Sequence, residues 1–188
     1  MHEVIWHGRG GQGVVIAAQI LAESAYLQGF KGVTSAPTFG PERRGAPLTA
    51  STRISDAPIR TFSQIEKADI AVVLDPSLFG IVNILGSLKP EGLLIVNTAQ
   101  KADQFDCDGC QNVATVDAAE IALRFHLLKE GAPIVNTPML GVFSRASGLI
   151  SIEHLEKGLK WKLAGGAAAT NIAALKAAYE EASLRKNR

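Results

Sequence analysis

The hydrophobic and polar positions at the start of the chain change from a strand-like to a helix-like spacing. EVIWH, residues 3–7, is a short β-rich run that ends in glycines and predicts a strand. Residues 14–29 place apolar side chains three and four positions apart, which predicts a helix ending at Gly29. GVTSA, residues 32–36, predicts a second strand. This order of strand, glycine turn, helix and strand is that of a βαβ unit.

The middle of the chain predicts further strands. Residues 48–54 alternate apolar and polar side chains and, together with residues 59–65, predict a β-hairpin. Residues 68–76 and 92–98 are mostly apolar, which is typical of strands buried on both faces of a sheet. Residues 77–88 between them predict a helix.

The C-terminal third predicts one more strand and then helices. The strand is expected at residues 112–118, and the helices at 118–131, 136–150, 151–163 and 167–186. Strands that alternate with helices predict an α/β fold. We expect a three-layer Rossmann-like domain with a mainly parallel sheet, a β-hairpin insertion and a helical C-terminal third.

The composition is that of a folded globular protein. The 188 residues suit a single domain over residues 1–188, and 47% are hydrophobic while 20% are charged. The net charge of +1 predicts no strong attraction to nucleic acid or to a membrane surface. No apolar run reaches the ~18 residues that span a bilayer, and the N-terminus does not resemble a signal peptide. We therefore expect a cytoplasmic protein with neither nucleic-acid nor membrane partners.

The turn WHGRGGQG is the first candidate site. It matches the pattern G-x-G-x-x-G after a strand and at the start of a helix, where backbone N–H groups and the helix N-terminus point to one position. Such a turn binds an anion, usually a phosphate, although glycines here also allow close packing of strand and helix. The residues we assign to the anion site are Gly8, Arg9, Gly10, Gly11, Gln12 and Gly13.

Binding of NAD in the usual manner requires a further feature. An Asp or Glu should follow about 20 residues later at the end of the second strand, where it binds the ribose. That strand ends in SAPTFG, and the first acidic residue afterwards is Glu42, inside a proline-rich loop. The sequence therefore disfavours a conventional NAD site.

The proline-rich loop of residues 37–47 is the second candidate site. It carries Arg43 and Arg44, and arginine binds phosphate with two parallel hydrogen bonds. Because the loop follows the second strand, we expect it at the same sheet edge as the glycine turn. A solvated basic loop without a ligand is the alternative.

Other polar residues are weaker candidates. Asn136 and Thr137 begin a predicted helix and are assigned to the same site as additional polar contacts. Asp75 is interpreted as a helix cap, and His7 as a packed, hydrogen-bonded residue. No spacing of Ser, His, Asp or Glu predicts a catalytic group in this chain, and none predicts a metal site.

The two cysteines, Cys107 and Cys110, lie in the segment FDCDGCQN. A CxxC pair is either a redox pair or half of a zinc site, but the histidines do not supply the other half. An acidic surface loop favours the interpretation that both are thiols without a role. Two cysteines are too few for an iron–sulfur cluster, which usually requires four.

WHGRGGQG and TFGPERRGAP together resemble the gamma subunit, or gamma domain, of the 2-oxoacid:acceptor oxidoreductases, such as pyruvate:ferredoxin oxidoreductase. The resemblance continues through residues 48–62, IAVVLDP and NTPMLG, and so covers roughly the whole chain. CDGC and the alanines of residues 164–169 lie outside it.

The resemblance implies a multi-subunit enzyme that oxidatively decarboxylates a 2-oxoacid and transfers the acyl group to coenzyme A. Thiamine diphosphate, magnesium and [4Fe-4S] clusters would then belong to partner subunits: alpha, beta (the thiamine diphosphate subunit) and delta (ferredoxin-like). This chain would help to bind coenzyme A and hold the complex together. The alternative from the residues themselves is a stand-alone nucleotide-binding protein of the NAD type.

Overall fold

The computed structural model describes residues 1–37, 44–61, 63–163 and 165–185. The strands within these ranges are β1 His2–Arg9, β2 Gly32–Pro37, β3 Pro47–Ser55, β4 Ala68–Val73, β5 Leu88–Asn97, β6 Asn112–Val116, β7 Leu128–Lys129, β8 Ala132–Pro133 and β9 Ser183–Arg185. The helices are α1 Val14–Gln28, α2 Ala118–Arg124, α3 Asn136–Ser147, α4 Ile152–Lys162 and α5 Gly166–Glu181, with short 3₁₀ helices at Pro76–Gly80 and Leu85–Ser87. Of these helices, none combines the length and the apolar character that a bilayer span requires.

One sheet organises the described residues, with its strands in the order β2-β3-β1-β4-β5-β6-β9. The strands β1, β4, β5 and β6 pair in parallel, whereas β3 is antiparallel to both β1 and β2, and β9 is antiparallel to β6. It follows that β2 also runs in the direction of β1. The predicted α/β Rossmann-like fold with a mainly parallel sheet is confirmed, and β1, β2, β4 and β5 all end at one edge.

The predicted hairpin is wrong. Its first half is β3, but the described residues among 59–65 form no strand. Strand β3 instead lies between β1 and β2, so that Ile54 pairs with His2 on one side and with Val33 on the other. The alternation of residues 48–54 predicts a strand with one buried face, but alternation does not identify the pairing partner.

The two faces of the sheet are covered differently. One continuous core joins the sheet to α1, α2, α3, α4 and α5, and in it the rings of Trp6 and Phe143 stack with centroids 6.0 Å apart. On the opposite face a smaller cluster covers β4 and β5. Its outer layer consists of the 3₁₀ helices and the loop before β6, where Phe79 meets Phe105. The three layers are thus helices, sheet and a layer of irregular segments.

The helix predicted at residues 77–88 is replaced by two short 3₁₀ helices. Between them the side chain of Asn83 accepts a hydrogen bond from the backbone N–H of Gly86 at 2.9 Å. A local bond of this kind competes with the helical hydrogen-bond ladder. The apolar spacing of the segment is used to cover the sheet, but a continuous α-helix does not form.

Two further boundaries differ from the prediction. Helix α2 ends at Arg124 rather than continuing to residue 131, since His126 adopts a positive φ of 55° and the small β7–β8 pair follows. Helix α5 ends at Glu181, and the next residues pair with β6 as the edge strand β9. Helical periodicity in residues 167–186 gives no sign of this last change.

Helices α3 and α5 pack closely because Gly141 has no side chain. A Cβ atom at Gly141 would lie 2.1 Å from the carbonyl oxygen of Leu175. We expect Gly141→Ala to lower the free energy of unfolding by about 1–3 kcal/mol, since overpacking forces backbone apart. Urea unfolding of the purified chain measures this value. Gly80→Ala is the matched control because no atom in the described part of the chain lies within 4 Å of its added Cβ, and equal effects of both changes would contradict the explanation.

Candidate anion-binding site

The glycine turn between β1 and α1 uses its glycines in two ways. A Cβ at Gly8 would lie 2.5 Å from Cγ2 of Val14, and a Cβ at Gly13 would lie 2.4 Å from Nδ2 of Asn136. These two positions therefore require glycine for packing. Gly11 adopts a φ of 98°, and no atom of the described residues lies within 4 Å of the position of its Cβ. Gly11 meets a backbone requirement and faces open space.

The backbone donors of the turn are only partly used. The N–H of Gly10 donates to Ala46 O at 2.9 Å, and that of Gln12 donates to Arg9 O at 3.0 Å. The first bond at the start of α1 runs from Ala17 N to Gly13 O, and no side chain among the described residues caps the helix. The N–H groups of residues 14–16 therefore precede the hydrogen-bond ladder, and a helix end of this kind favours an anion.

Arg9 is held by the protein rather than free. Its Nε donates to Oδ2 of Asp75 at 2.9 Å, its Nη2 to Oγ of Ser77 at 2.8 Å, and its Nη1 to the carbonyl of Gly45 at 2.9 Å. Only 26% of the side chain is exposed. We call these contacts the Arg9 clamp. It joins the glycine turn to the first 3₁₀ helix and to the described end of the proline-rich loop.

Gln12 and Asp75 complete the clamp. The side-chain oxygen of Gln12 accepts from Arg9 N at 2.7 Å, and its Nε2 donates to Asp75 at 3.3 Å. Burial by itself would raise the pKa of Asp75, but hydrogen bonds from Ser77 and the charge of Arg9 outweigh it and lower the pKa. Asp75 also accepts from the backbone N–H of Ser77 at 3.0 Å, so the predicted helix cap is confirmed. Ser77 is a site residue beyond those expected from the sequence, although Asp-Pro-Ser is a recognisable helix start.

Arg44 lies beside the glycine turn. It forms a parallel bridge with Gly10, and the next residue, Gly45, donates its N–H to Gly10 O at 3.1 Å. The side chain of Arg44 is 71% exposed and forms an ion pair with Glu130. Arg43, the other arginine of the prediction, lies outside the described residues. The structure therefore places the backbone of Arg44 beside the glycine turn and its exposed guanidinium beside Glu130.

Asn136 and Thr137 face the interior. Nδ2 of Asn136 is 3.4 Å from Gly13 O, and the hydroxyl of Thr137 donates to Oδ1 of Asn171 at 2.8 Å. Asn136 and Thr137 are 5% and 1% exposed. The two residues brace the starts of α1 and α3 against α5, so they position the turn from behind.

His7 is buried without a hydrogen bond. It is 3% exposed, and neither ring nitrogen has a partner among the described residues. Burial lowers its pKa to about 4. The interpretation of His7 as a packed residue is confirmed, but the expected hydrogen bond is missing. Among the described residues, no group of three or more His, Cys, Asp and Glu side chains could hold a metal ion.

The α/β fold, with a glycine turn that leads into a helix without a side-chain cap among the described residues, is typical of domains that bind an anion at a helix N-terminus. The chain belongs to the pyruvate ferredoxin/flavodoxin oxidoreductase family, whose model matches residues 3–181. It is 46% identical over 184 residues to the pyruvate/ketoisovalerate oxidoreductases common subunit gamma of Pyrococcus furiosus. The match covers 96% of this chain and 97% of that relative. The family predicted from the two motifs is confirmed.

Solved structures agree with this assignment. Pyruvate oxidoreductase subunit PORC from Thermotoga maritima is 34% identical to this chain and superposes with a TM-score of 0.80. The match covers 97% of each of the two chains. The 2-oxoglutarate:ferredoxin oxidoreductase from Magnetococcus marinus, solved with 2-oxoglutarate, coenzyme A and succinyl-CoA bound, has a TM-score of 0.72. It is 17% identical, and the match covers 100% of this chain and 33% of the longer one, which shows the fold alone.

The buried His7 predicts a specific loss of stability in acid. Its pKa is near 6.5 in the unfolded chain and about 4 in the folded one. Between these values the unfolded chain binds a proton that the folded chain does not. The contribution of neutral His7 is therefore complete above pH 6.5 and is lost as the pH falls, by up to about 1.4 kcal/mol per pH unit.

We expect His7→Phe to flatten the pH dependence of the free energy of unfolding between pH 6.5 and 4. Urea unfolding at several pH values measures the slope for the variant and for the unchanged chain. His2→Gln, at an exposed position, serves as the control and should keep the original slope. Identical slopes for all three proteins would show that His7 is not the buried titrating group.

Proposed function

We propose that this chain is the gamma subunit of a multi-subunit 2-oxoacid:acceptor oxidoreductase and that it binds coenzyme A at the glycine turn. The observation that supports this most is the N-terminus of α1: no side chain of the described residues caps it, none of their atoms lies within 4 Å of a Cβ at Gly11, and the backbone of Arg44 bridges to Gly10 beside it. Coenzyme A carries a diphosphate and a 3′-phosphate, which are the anions that such groups bind.

In this proposal, backbone N–H groups and the Arg44 guanidinium bind different phosphates of coenzyme A. Backbone N–H groups of the turn and of the first turn of α1 bind the diphosphate, because Gly11 allows close approach. Arg44 binds a terminal phosphate after exchanging its ion pair with Glu130 for the ligand. This exchange is favourable because a terminal phosphate carries more negative charge than the carboxylate of Glu130, while Arg can bind either with two parallel hydrogen bonds. Arg43 is proposed for the same role.

The shape of the turn, rather than contact with the ligand, is the role of the other turn residues: Gly8, Gly10, Gly13 and the side chain of Gln12. Gly10 already donates its N–H to Ala46, and Gln12 is bound to the Arg9 backbone. Arg9 acts through position, since the Arg9 clamp fixes the turn and the loop to one another.

The remaining chemistry belongs to partner subunits in this proposal. The enzyme oxidatively decarboxylates a 2-oxoacid and delivers the acyl group to the coenzyme A held here. Thiamine diphosphate with magnesium lies on the beta subunit, and the [4Fe-4S] clusters lie on partners that include a ferredoxin-like delta subunit, with alpha completing the complex. The chain has two cysteines, half the usual number of cluster ligands. The complex is placed in the cytoplasm, where coenzyme A and 2-oxoacids are metabolised.

A stand-alone NAD-binding protein is the second candidate. Strand β2 ends at Pro37 without an acidic residue that could bind a ribose. The exposed aromatic side chains also favour a subunit: Trp161 is 78% exposed on α4 and Tyr26 is 72% exposed on α1. Large exposed apolar groups are common at protein interfaces.

Arg44→Ala tests the ligand. If Arg44 binds a phosphate of coenzyme A, the change should raise the apparent KM for coenzyme A by roughly tenfold, since a charge-assisted hydrogen bond is lost at a partly exposed position. The KM for the 2-oxoacid should stay nearly constant because that site lies on other subunits. Steady-state kinetics of the assembled complex measures both values.

Arg60→Ala is the matched control. Arg60 is an exposed arginine that follows β3, and β3 ends beside the start of β2, at the sheet edge opposite the glycine turn. Its loss removes the same charge and should leave both KM values unchanged. An intact complex in which Arg44→Ala also leaves the coenzyme A dependence unchanged would remove Arg44 from the site.

Isolation from the native source tests the assignment as a subunit. When this chain is captured through an affinity tag, we expect larger subunits to be retained, together with thiamine diphosphate and the brown colour of iron–sulfur clusters. Native mass spectrometry then gives the stoichiometry. A colourless homo-oligomer that carries NAD would contradict the proposal and support the second candidate.

A further inference from the structure

The loop between β5 and β6 is closed by a disulfide. Cys107 and Cys110, expected as separate thiols without a role, are bonded to each other in the structure. A turn brings them together, in which the N–H of Cys110 donates to Cys107 O at 3.2 Å and Gly109 adopts a φ of 77°. The expectation was wrong because residue spacing alone does not show that the backbone turns back between the two sulfur atoms.

The loop is also fixed at its other contacts. Arg185 on the edge strand β9 donates to the carbonyls of Ala102, Phe105 and Cys110 at 3.0, 3.1 and 3.2 Å. The ring of Phe105 lies 5.8 Å from that of Phe79 on the first 3₁₀ helix. Both cysteines pack against the cluster that covers β4 and β5. The disulfide therefore belongs to the layer that closes the second face of the sheet.

A cavity of about 450 Å³ lies between the loop and the 3₁₀ helices. Its wall includes Pro76, Phe79, Val82, Ile84, Phe105 and Cys107. Pro76 stands between Asp75 and Ser77, the two side chains that bind Arg9 in the clamp. The cavity therefore borders the same 3₁₀ helix, Pro76–Gly80, that carries Ser77 of the clamp.

The disulfide is accessible from solvent. Cys107 and Cys110 are both partly exposed, and Asp106, Asp108 and Gly109 around them are exposed. Exposed disulfides are generally the labile or regulatory ones, whereas buried structural ones resist reduction. A disulfide in a CxxC pair that borders a cavity and is partly exposed is therefore a candidate for thiol–disulfide exchange.

We propose that Cys107–Cys110 is a redox-active disulfide that a dithiol reductant opens reversibly, which releases the loop from the wall of this cavity. A thiolate of the reductant attacks one sulfur, and the other cysteine leaves as a thiolate and takes up a proton. The second thiol of the reductant then displaces the protein from the mixed disulfide. Two electrons and two protons reach the protein, and the reductant ends as a disulfide.

The charges around the pair select among reductants. The carboxylates of Asp106 and Asp108 flank Cys107 and repel an anionic thiol such as glutathione, and this repulsion weakens with salt. A neutral dithiol meets no such barrier and completes the exchange within one molecule. The proposal does not depend on the binding of coenzyme A, so either can fail without the other.

Thiol counting tests the chemistry. The full chain, purified with rapid alkylation of free thiols, is equilibrated with mixtures of reduced and oxidised dithiothreitol and analysed by intact mass. We expect one two-electron transition in which both cysteines become alkylated together, fully reversed by oxidised dithiothreitol. Glutathione should react more slowly at low salt than at high salt. Two thiols that are free under every condition, or a disulfide between chains, would overturn the proposal.

Limited proteolysis tests the release of the loop. Lys101 is exposed, and its carbonyl accepts from the N–H groups of Gln104 and Phe105 within the loop. Reduction should speed tryptic cleavage after Lys101 several-fold. Cleavage after the exposed Lys31, which directly precedes β2 at the opposite edge of the sheet from β9, should stay constant and serves as the internal reference. The double variant Cys107→Ser/Cys110→Ser should be cleaved after Lys101 as fast as the reduced protein, and dithiothreitol should not change its rate. Equal cleavage of the oxidised, reduced and substituted proteins would show that the disulfide does not hold the loop.

Discussion

The guanidinium of Arg9 connects the chain segments that meet at the carboxyl edge of the sheet. It lies at the end of β1 and binds the cap of the first 3₁₀ helix through Asp75 and Ser77, and the proline-rich loop through Gly45. A planar group with fixed donor directions holds three partners only when all of them are placed correctly. The Arg9 side chain therefore adds to the pairing of β1 with β3 and β4 in holding the glycine turn at this edge.

The clamp separates two arginines that the sequence presents as equals. Arg9 is largely enclosed and occupied, whereas Arg44 is mostly exposed and, among the described residues, pairs with a surface carboxylate. An enclosed arginine with a carboxylate partner is costly to detach, and an exposed ion pair is exchanged easily. Residue type and spacing predict phosphate binding for both, and the contacts show that Arg9 is part of the architecture whereas Arg44 is exposed.

Much of the fold was predictable because the signals were local. The strand at residues 3–7, the turn and helix α1 follow from spacing and from glycine, and the buried strands β4 and β5 follow from apolar runs. The errors concern information that local patterns lack. The pairing of β3 with β1 and β2, the 3₁₀ layer and the edge strand β9 each depend on a distant partner or on a side chain such as Asn83 that competes for the backbone.

The candidate site shows the same limit at the level of single residues. The sequence indicates a helix end with free donors, and the structure describes one that no side chain among the described residues caps. The roles of Asn136 and Thr137 did not follow from their position at a helix start, because that position does not show which way the side chains point. Their burial behind Gly13 makes them supports of the turn.

These supports explain why backbone groups, rather than side chains, are suited to the ligand. Asn136 packs so tightly behind Gly13 that no Cβ fits there, and the Arg9 clamp fixes the front of the turn. A turn restrained on both sides loses little entropy when an anion binds, since its N–H groups are already placed. Affinity then depends on preorganised dipoles, and the exposed Arg44 can add charge without having to shape the site.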